Sequence, residues 1–174
     1  VQAGSNRILK LMNRKYTRED YFEKIELIRR YIPDIAITTD IMVGFPTETE
    51  EDFLDTVDLV KKVGFAGAFT FIYSPREGTP AAKMAGQIDP EISKKRIMTL
   101  IDLQNDINRE QSEKYKGKIV KILCEGYDEK KDKYLGRDSY GRMVYFDGNS
   151  EYIGKFVNVK IVETGGISLY GVIL

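Results

Sequence analysis

The sequence predicts a partial α/β barrel followed by a small all-β barrel of OB size, and two observations carry that prediction. Through the first two-thirds of the chain, helical and strand-like patterns alternate, which implies parallel strands joined by crossover helices. After residue 114 the helical period stops, and short apolar runs follow one another between glycines. The expected division is residues 1–112 and 113–174.

The elements are justified in order. Ser5 is placed to cap a short helix carrying Ile8, Leu9 and Met12. Thr17 caps a second, in which Tyr21, Phe22, Ile25 and Ile28 recur at helical spacing until Pro33. Residues 35–43 form a β-branched run suited to a buried strand, and the turn Gly44-Phe45-Pro46 ends it. Thr47 and Glu50 have capping-box spacing, and Phe53, Leu54, Val57 and Val60 make the stripe of a helix that stops near Gly64. A second strand over residues 68–73 leads into a turn-rich stretch over 74–80. Asp89 and Pro90 then open a long helix to about residue 114. Four strands are expected beyond it, over 118–125, 142–146, 156–162 and 167–174, with turns at Asp147-Gly148 and Gly165-Gly166, closing as an antiparallel barrel.

Two parallel strands cannot close a barrel or bury both faces of a sheet. The missing strands are expected from another chain or from residues upstream of Val1, and the start of the sequence just before a helix cap favours the second. The incomplete barrel would leave an edge through which two copies could dimerise.

Composition narrows the chemistry. The chain has no histidine, which removes from it the Ser-His-Asp triad, His-supported metal sites and an imidazole base. Its single cysteine, Cys124, cannot hold an iron–sulfur cluster, lies in a strand-like run, and reads as core packing. No apolar run approaches the roughly 18 residues of a membrane span, no signal peptide is evident, and a cytoplasmic location without membrane contact is the expectation. Lys and Arg total 16 against 19 Asp and Glu in residues 1–113, but 11 against 8 in 114–174, so a polyanion would more naturally meet the second part.

In α/β barrels the reactive site lies at the carboxyl ends of the strands. Residues 1–5, 40–48 and 73–79 occupy such positions and are rich in Gly, Pro, Ser and polar groups; they are either simple turns or a ligand wall. Asp40, a carboxylate inside a run fit for burial, needs either a structural hydrogen bond or a bound ligand. Glu48, Glu50, Glu51 and Asp52 resemble a catalytic cluster, but for the last three the helix macrodipole is sufficient explanation. In the second part, Arg137, Tyr140, Arg142, Tyr145 and Phe146 interleave basic and aromatic side chains around a glycine-rich hairpin, a set suited to RNA or divided between core and solvated edge.

Taken together, Val1-Gln2-Ala3-Gly4-Ser5-Asn6, residues 9–14, 38–48 and 68–82, and Gly136-Arg137 with Arg142-Met143-Val144 resemble the radical S-adenosylmethionine (SAM) methylthiotransferases, most closely the MiaB-type tRNA enzymes. The resemblance covers essentially the whole chain. It implies the later part of a truncated, TIM-like radical SAM barrel followed by a TRAM domain, without the Cys-x-x-x-Cys-x-x-Cys motif. The complete enzyme would use SAM and two [4Fe-4S] clusters to install a 2-methylthio group on N6-isopentenyladenosine beside the anticodon. This piece alone would be inactive, with no catalytic residue, no metal ligand and no cofactor of its own. The related threonylcarbamoyladenosine-tRNA and ribosomal-protein enzymes, or a purely RNA-binding module, are the alternatives.

Carried over position by position, the resemblance places Gln2 and Ser5 near the SAM ribose or methionine end. Asp40, Val43 and Gly44 would form the next loop of that wall, and Tyr73, Ser74 and Pro75 would flank the adenine. Arg76 would meet an RNA phosphate or the substrate nucleotide, Arg137 and Arg142 the backbone of the tRNA anticodon stem-loop, and Tyr145 the RNA. Thr47 stands where the family carries glycine, a change expected to alter only the helix cap; Gly141 and Tyr145 replace asparagines, and Tyr170 an arginine.

Overall fold

The computed structural model describes residues 1–174, which divide into two compact units, Val1–Ile107 and Asn108–Leu174. The first contains α1 (Asn6–Leu11), α2 (Arg18–Tyr31), β1 (Thr38–Val43), α3 (Glu50–Val63), β2 (Gly67–Ile72) and most of α4 (Pro90–Glu113). α3 is the crossover that makes β1 and β2 parallel, in register from Thr38 opposite Gly67 to Val43 opposite Ile72.

The pleat of β1 sends alternate side chains to opposite faces. Ile41 and Val43 pack among Ile25 of α2, Phe53, Leu59, Val60 and Val63 of α3, Phe65 and Leu100 of α4. The other face carries Asp40 opposite Phe69 and Met42 opposite Phe71, with Phe69 64% and Phe71 50% exposed. In this chain Asp40 therefore lies on the exposed side of the strand and not in a buried run, with its carboxylate open to water. The strand also starts later than residue 35, because the Ile35 amide donates to the Ile32 carbonyl in the turn that ends α2.

The caps follow local chemistry. Ser5 caps α1, and Thr17 and Asp20 form a reciprocal box at α2. For α3 the box is Thr49 with Asp52, not Thr47 with Glu50: the Asp52 amide donates to Thr49 Oγ1 (3.2 Å) and the Thr49 amide to Asp52 Oδ2 (2.8 Å). Thr47 lies two residues earlier in the left-handed region, at φ +70°.

The second unit is a closed barrel in the order β3 (Ile119–Asp128), β4 (Lys133–Asp138), β5 (Met143–Asp147), β7 (Ser168–Ile173), β6 (Phe156–Gly165), with β6 pairing back to β3. Five strands, not four, build it. β4 escapes the apolar pattern because Gly136 interrupts it; a Cβ there would stand 2.1 Å from the Leu123 carbonyl oxygen. The expectation of a wholly antiparallel barrel also fails at one seam, where β5 and β7 run parallel. Both long strands bend at a bulge beside an inward-facing glycine on the partner strand: Gly136 opposite Cys124 of β3, and Gly171 opposite Ile161 of β6. Ile122, Cys124, Val144, Phe146, Val159, Ile161 and Leu169 fill the interior. The last turn of α4 joins this unit, Ser112 donating to the Gly166 carbonyl at 2.7 Å.

Candidate functional site

The loop before α1 is pinned to the start of α3. The Gly4 amide donates to Thr56 Oγ1 (2.9 Å), and a Cβ on Gly4 would lie 2.4 Å from the Asp55 carbonyl, so only glycine lets the two segments meet. The Ser5 hydroxyl donates to Asp52 Oδ1 at 2.5 Å, and Arg7 forms an ion pair with the same carboxylate. Burial opposes ionisation of Asp52, but Arg7, Ser5 and Thr49 together hold its carboxyl well below the usual carboxylate range. Arg7 also donates to the Thr47 carbonyl at 2.6 Å.

The loop after β1 is held from within. Glu48 is buried and accepts from the amides of Gly44 (2.5 Å) and Phe45 (3.1 Å), and its other oxygen pairs with the buried Arg96 of α4 at 3.5 Å. Burial raises the Glu48 carboxyl above its ordinary value, against the pull of Arg96 and the two amides. Of the four acids at this helix start, Glu48 and Asp52 are thus buried anchors, whereas Glu50 and Glu51 are exposed. Arg96 has no sequence signal, since it lies far along the chain from the loop that it steadies.

Beyond these anchors opens a cavity of about 570 Å³ over the carboxyl ends of β1 and β2, with Gln2, Met42, Phe45, Tyr73, Ser74 and Arg76 among its lining residues. Gln2 Oε1 accepts from Arg14 at 2.6 Å, and its carbonyl accepts from the Met42 amide. Tyr73 meets Phe45 edge-on, with centroids 5.2 Å apart, and its buried hydroxyl has no protein partner. An adjoining hollow of about 450 Å³ is lined by Gln2, Asp40 and Phe69, among others. The structure thus brings together Gln2, Tyr73, Ser74 and Arg76, with Asp40 in the neighbouring hollow. Ser5 is buried against Asp52, Val43 packs in the helix-facing core, Gly44 is bound to Glu48, and Pro75 is exposed outside the lining.

In the barrel unit, the predicted basic–aromatic hairpin splits into open and closed parts. The Arg137 side chain is half exposed and pairs with Glu125 at 3.1 Å. Arg142 pairs with the buried Asp138 at 3.0 Å, and its guanidinium lies 4.2 Å from the Tyr115 ring centroid and 4.9 Å from that of Tyr140. Tyr145 is only 8% exposed: it stacks on Tyr170 at 5.3 Å, and Lys131 lies 3.9 Å over its ring. Cys124 is buried in the barrel, which pushes its thiol pKa up. No group of three or more His, Cys, Asp or Glu is arranged to hold a metal.

The radical SAM superfamily model matches residues 1–60, and the TRAM domain model residues 113–174. The chain is 54% identical, over 98% of its length, to the tRNA-2-methylthio-N(6)-dimethylallyladenosine synthase of Thermoanaerobacter sp. (strain X514), covering 36% of that protein. It is 51% identical over 99% of its length to the same-named protein of Acetivibrio thermocellus, covering 36% of it, and 50% identical over its full length to that of Carboxydothermus hydrogenoformans, covering 40%. The chain belongs to the MiaB-type methylthiotransferase family. It spans little more than a third of the length of the curated relatives it matches.

The radical SAM match, over residues 1–60, takes in Gln2, Met42 and Phe45 of the cavity lining, and the TRAM match takes in the five-stranded barrel. No helix is long and apolar enough to cross a membrane. Thr47, where the resemblance leads one to expect glycine, adopts φ +70°, a conformation that favours glycine, and α3 is capped by Thr49 instead.

Proposed function

We propose that the protein to which this chain belongs is a tRNA methylthiotransferase acting on N6-dimethylallyladenosine, and that the chain supplies one wall of its SAM site and an RNA-binding domain. The observation carrying this reading is the 54% identity over nearly the whole chain to a synthase of that name. The cavity suits SAM: Met42, Phe45 and Tyr73 offer apolar surface to an adenine, Gln2 and Ser74 offer polar groups, and the unpartnered Tyr73 hydroxyl is a hydrogen-bonding group awaiting a ligand. Bound there, SAM would supply the methyl group and the hydrogen-abstracting radical. The chain's own part is positional: Asp52 with Ser5 and Arg7 fixes the first loop, and Glu48 with Arg96 fixes the second.

A single buried cysteine does not fit an iron–sulfur cluster, so both expected clusters would be held by residues outside this chain. Arg76 at the cavity is assigned to an RNA phosphate or the substrate nucleotide, and the barrel, with its excess of Lys and Arg, to the tRNA anticodon stem-loop.

The test is nucleoside mass spectrometry of tRNA from cells lacking the native enzyme and complemented with the full-length protein. Wild type should restore the 2-methylthio nucleoside, and Gln2→Ala and Tyr73→Phe should each reduce it and weaken SAM binding by the anaerobically purified enzyme. Full-length protein that leaves dimethylallyladenosine unmodified would overturn the reading.

A further inference from the structure

The RNA contacts that the sequence suggested on the β4–β5 hairpin are largely closed, since Arg142 is held by Asp138 and two tyrosines, and Tyr145 by Tyr170 and Lys131. A different face of the same barrel is open. Along β3 and β6 the residues pointing outward are fixed by register: Leu123 opposite Phe156, Lys121 opposite Asn158, and Ile119 opposite Lys160. On its other side Leu123 pairs with Arg137 of β4. Phe156, Leu123 and Arg137 therefore form one row across three strands, about 10 Å wide at ordinary strand spacing.

Phe156, held outward by this register, is 66% exposed, and Lys121 Nζ stands 5.0 Å from its centroid. Lys121 stands over the ring, Arg137 lies at the far end of the same row and Lys160 two outward positions along β6; of the acids bordering these rows, Glu125 is paired with Arg137 and Glu163 lies one outward position beyond Lys160. An apolar ring bordered by unneutralised lysines is a poor seat for a water-shedding protein partner. It does match a strand of unpaired nucleic acid, whose bases stack while its phosphates meet the cations.

We propose that Phe156 is the stacking platform for an unpaired RNA base, and that Lys121, Lys160 and Arg137 hold the adjoining phosphates. The proposal rests on the RNA-binding reading above and locates it on β3, β4 and β6. The hairpin tip at Tyr140–Arg142 then acts as a rigid neighbour, not as the binding surface.

The experiment uses the 174-residue chain and two fluorescein-labelled RNAs, a stem-loop with an unpaired loop and a blunt duplex with equal phosphate number. Phe156→Ala should weaken stem-loop binding by about 5- to 100-fold in anisotropy titrations, while duplex binding changes little. Lys121→Ala with Lys160→Ala should flatten the salt dependence of stem-loop binding by about 1.4 in log–log slope. The chain has no tryptophan, so Phe156→Trp introduces a single reporter whose emission should be quenched by the stem-loop and not by the duplex. Because Phe156 is exposed, the melting curves of all three variants should match wild type.

Unchanged stem-loop affinity in Phe156→Ala together with an unquenched Phe156→Trp would overturn the proposal while leaving RNA binding intact. Failure of the wild-type chain to bind either RNA would overturn the broader reading and this one with it. Self-association in sedimentation that Phe156→Ala abolishes, with RNA affinity untouched, would reassign the face to a second copy of the chain.

Discussion

Replacing Thr47 with glycine should stabilise the first unit, and the size of the effect follows from the residue's conformation. A left-handed L-residue costs roughly 1–2 kcal/mol, and a β-branched side chain belongs at the upper end of that range. Thr47 has φ +70°, so glycine would recover about 2 kcal/mol of strain. Two losses oppose the gain. The exposed hydrogen bond from Arg7 to Thr47 Oγ1, 3.2 Å long, contributes about 0.5 kcal/mol, and the greater freedom of glycine in the unfolded chain removes about as much again. The contact from Arg7 to the Thr47 carbonyl survives the change. A net gain of about 1 kcal/mol is expected. Thr47→Ala, which loses the hydroxyl and relieves only the β-branched share of the strain, should stay within about 0.5 kcal/mol of wild type. Urea unfolding read by linear extrapolation, with unchanged m, resolves a difference of this size between the two variants. Equal stability of Thr47→Gly and Thr47→Ala, or a glycine variant weaker than wild type, would refute the argument from conformation.

Three other changes are informative. Asp52 has a depressed pKa, so its contribution is present above the ordinary value of 3.8 and is lost as pH falls through the folded value; Asp52→Asn should lose about 3 kcal/mol at neutral pH and unfold with a flatter acid limb in pH-dependent urea titrations. Glu48 has the opposite sign: its raised pKa gives a contribution that is full below 4.5 and lost as pH rises through the folded value, and Glu48→Gln should flatten that slope in the same titration. Gly136→Ala drives a Cβ into the Leu123 carbonyl and should cost about 3 kcal/mol or more, enough to remove the barrel's cooperative melting transition in calorimetry. Cys124, buried and with a raised pKa, should resist a thiol reagent in the native chain and react at the rate of barrel unfolding; rapid native labelling would contradict its burial.

Much of this architecture was legible from local pattern because its elements carry their own signals. Ser5, Thr17 and Asp89-Pro90 announce helix starts by capping chemistry, and α4 runs within a residue of its predicted end. What stayed hidden depends on partners distant in the chain. β4 carries a glycine that weakens its pattern, yet that glycine is required by the backbone of β3. The parallel seam between β5 and β7 leaves no local trace, since side-chain alternation is the same for either strand direction. Asp40 looked buried because it sits in a β-branched run, but it shares the face of β1 and β2 on which Phe69 and Phe71 are exposed in this chain. At the site, the chemical character of the loops was readable but not the commitment of each group: Ser5 and Gly44 had the composition of ligand contacts, and both are engaged by buried carboxylates.

The filled interior of the five-stranded barrel has a consequence for recognition. Seven fully enclosed side chains occupy its lumen, and two glycines draw neighbouring backbones together at its corners, so the interior serves as packed core. Whatever this domain greets must be read from without, by the decorated outer skin and the turns, and alterations to the inner packing should govern how long the shell survives while leaving its selectivity alone.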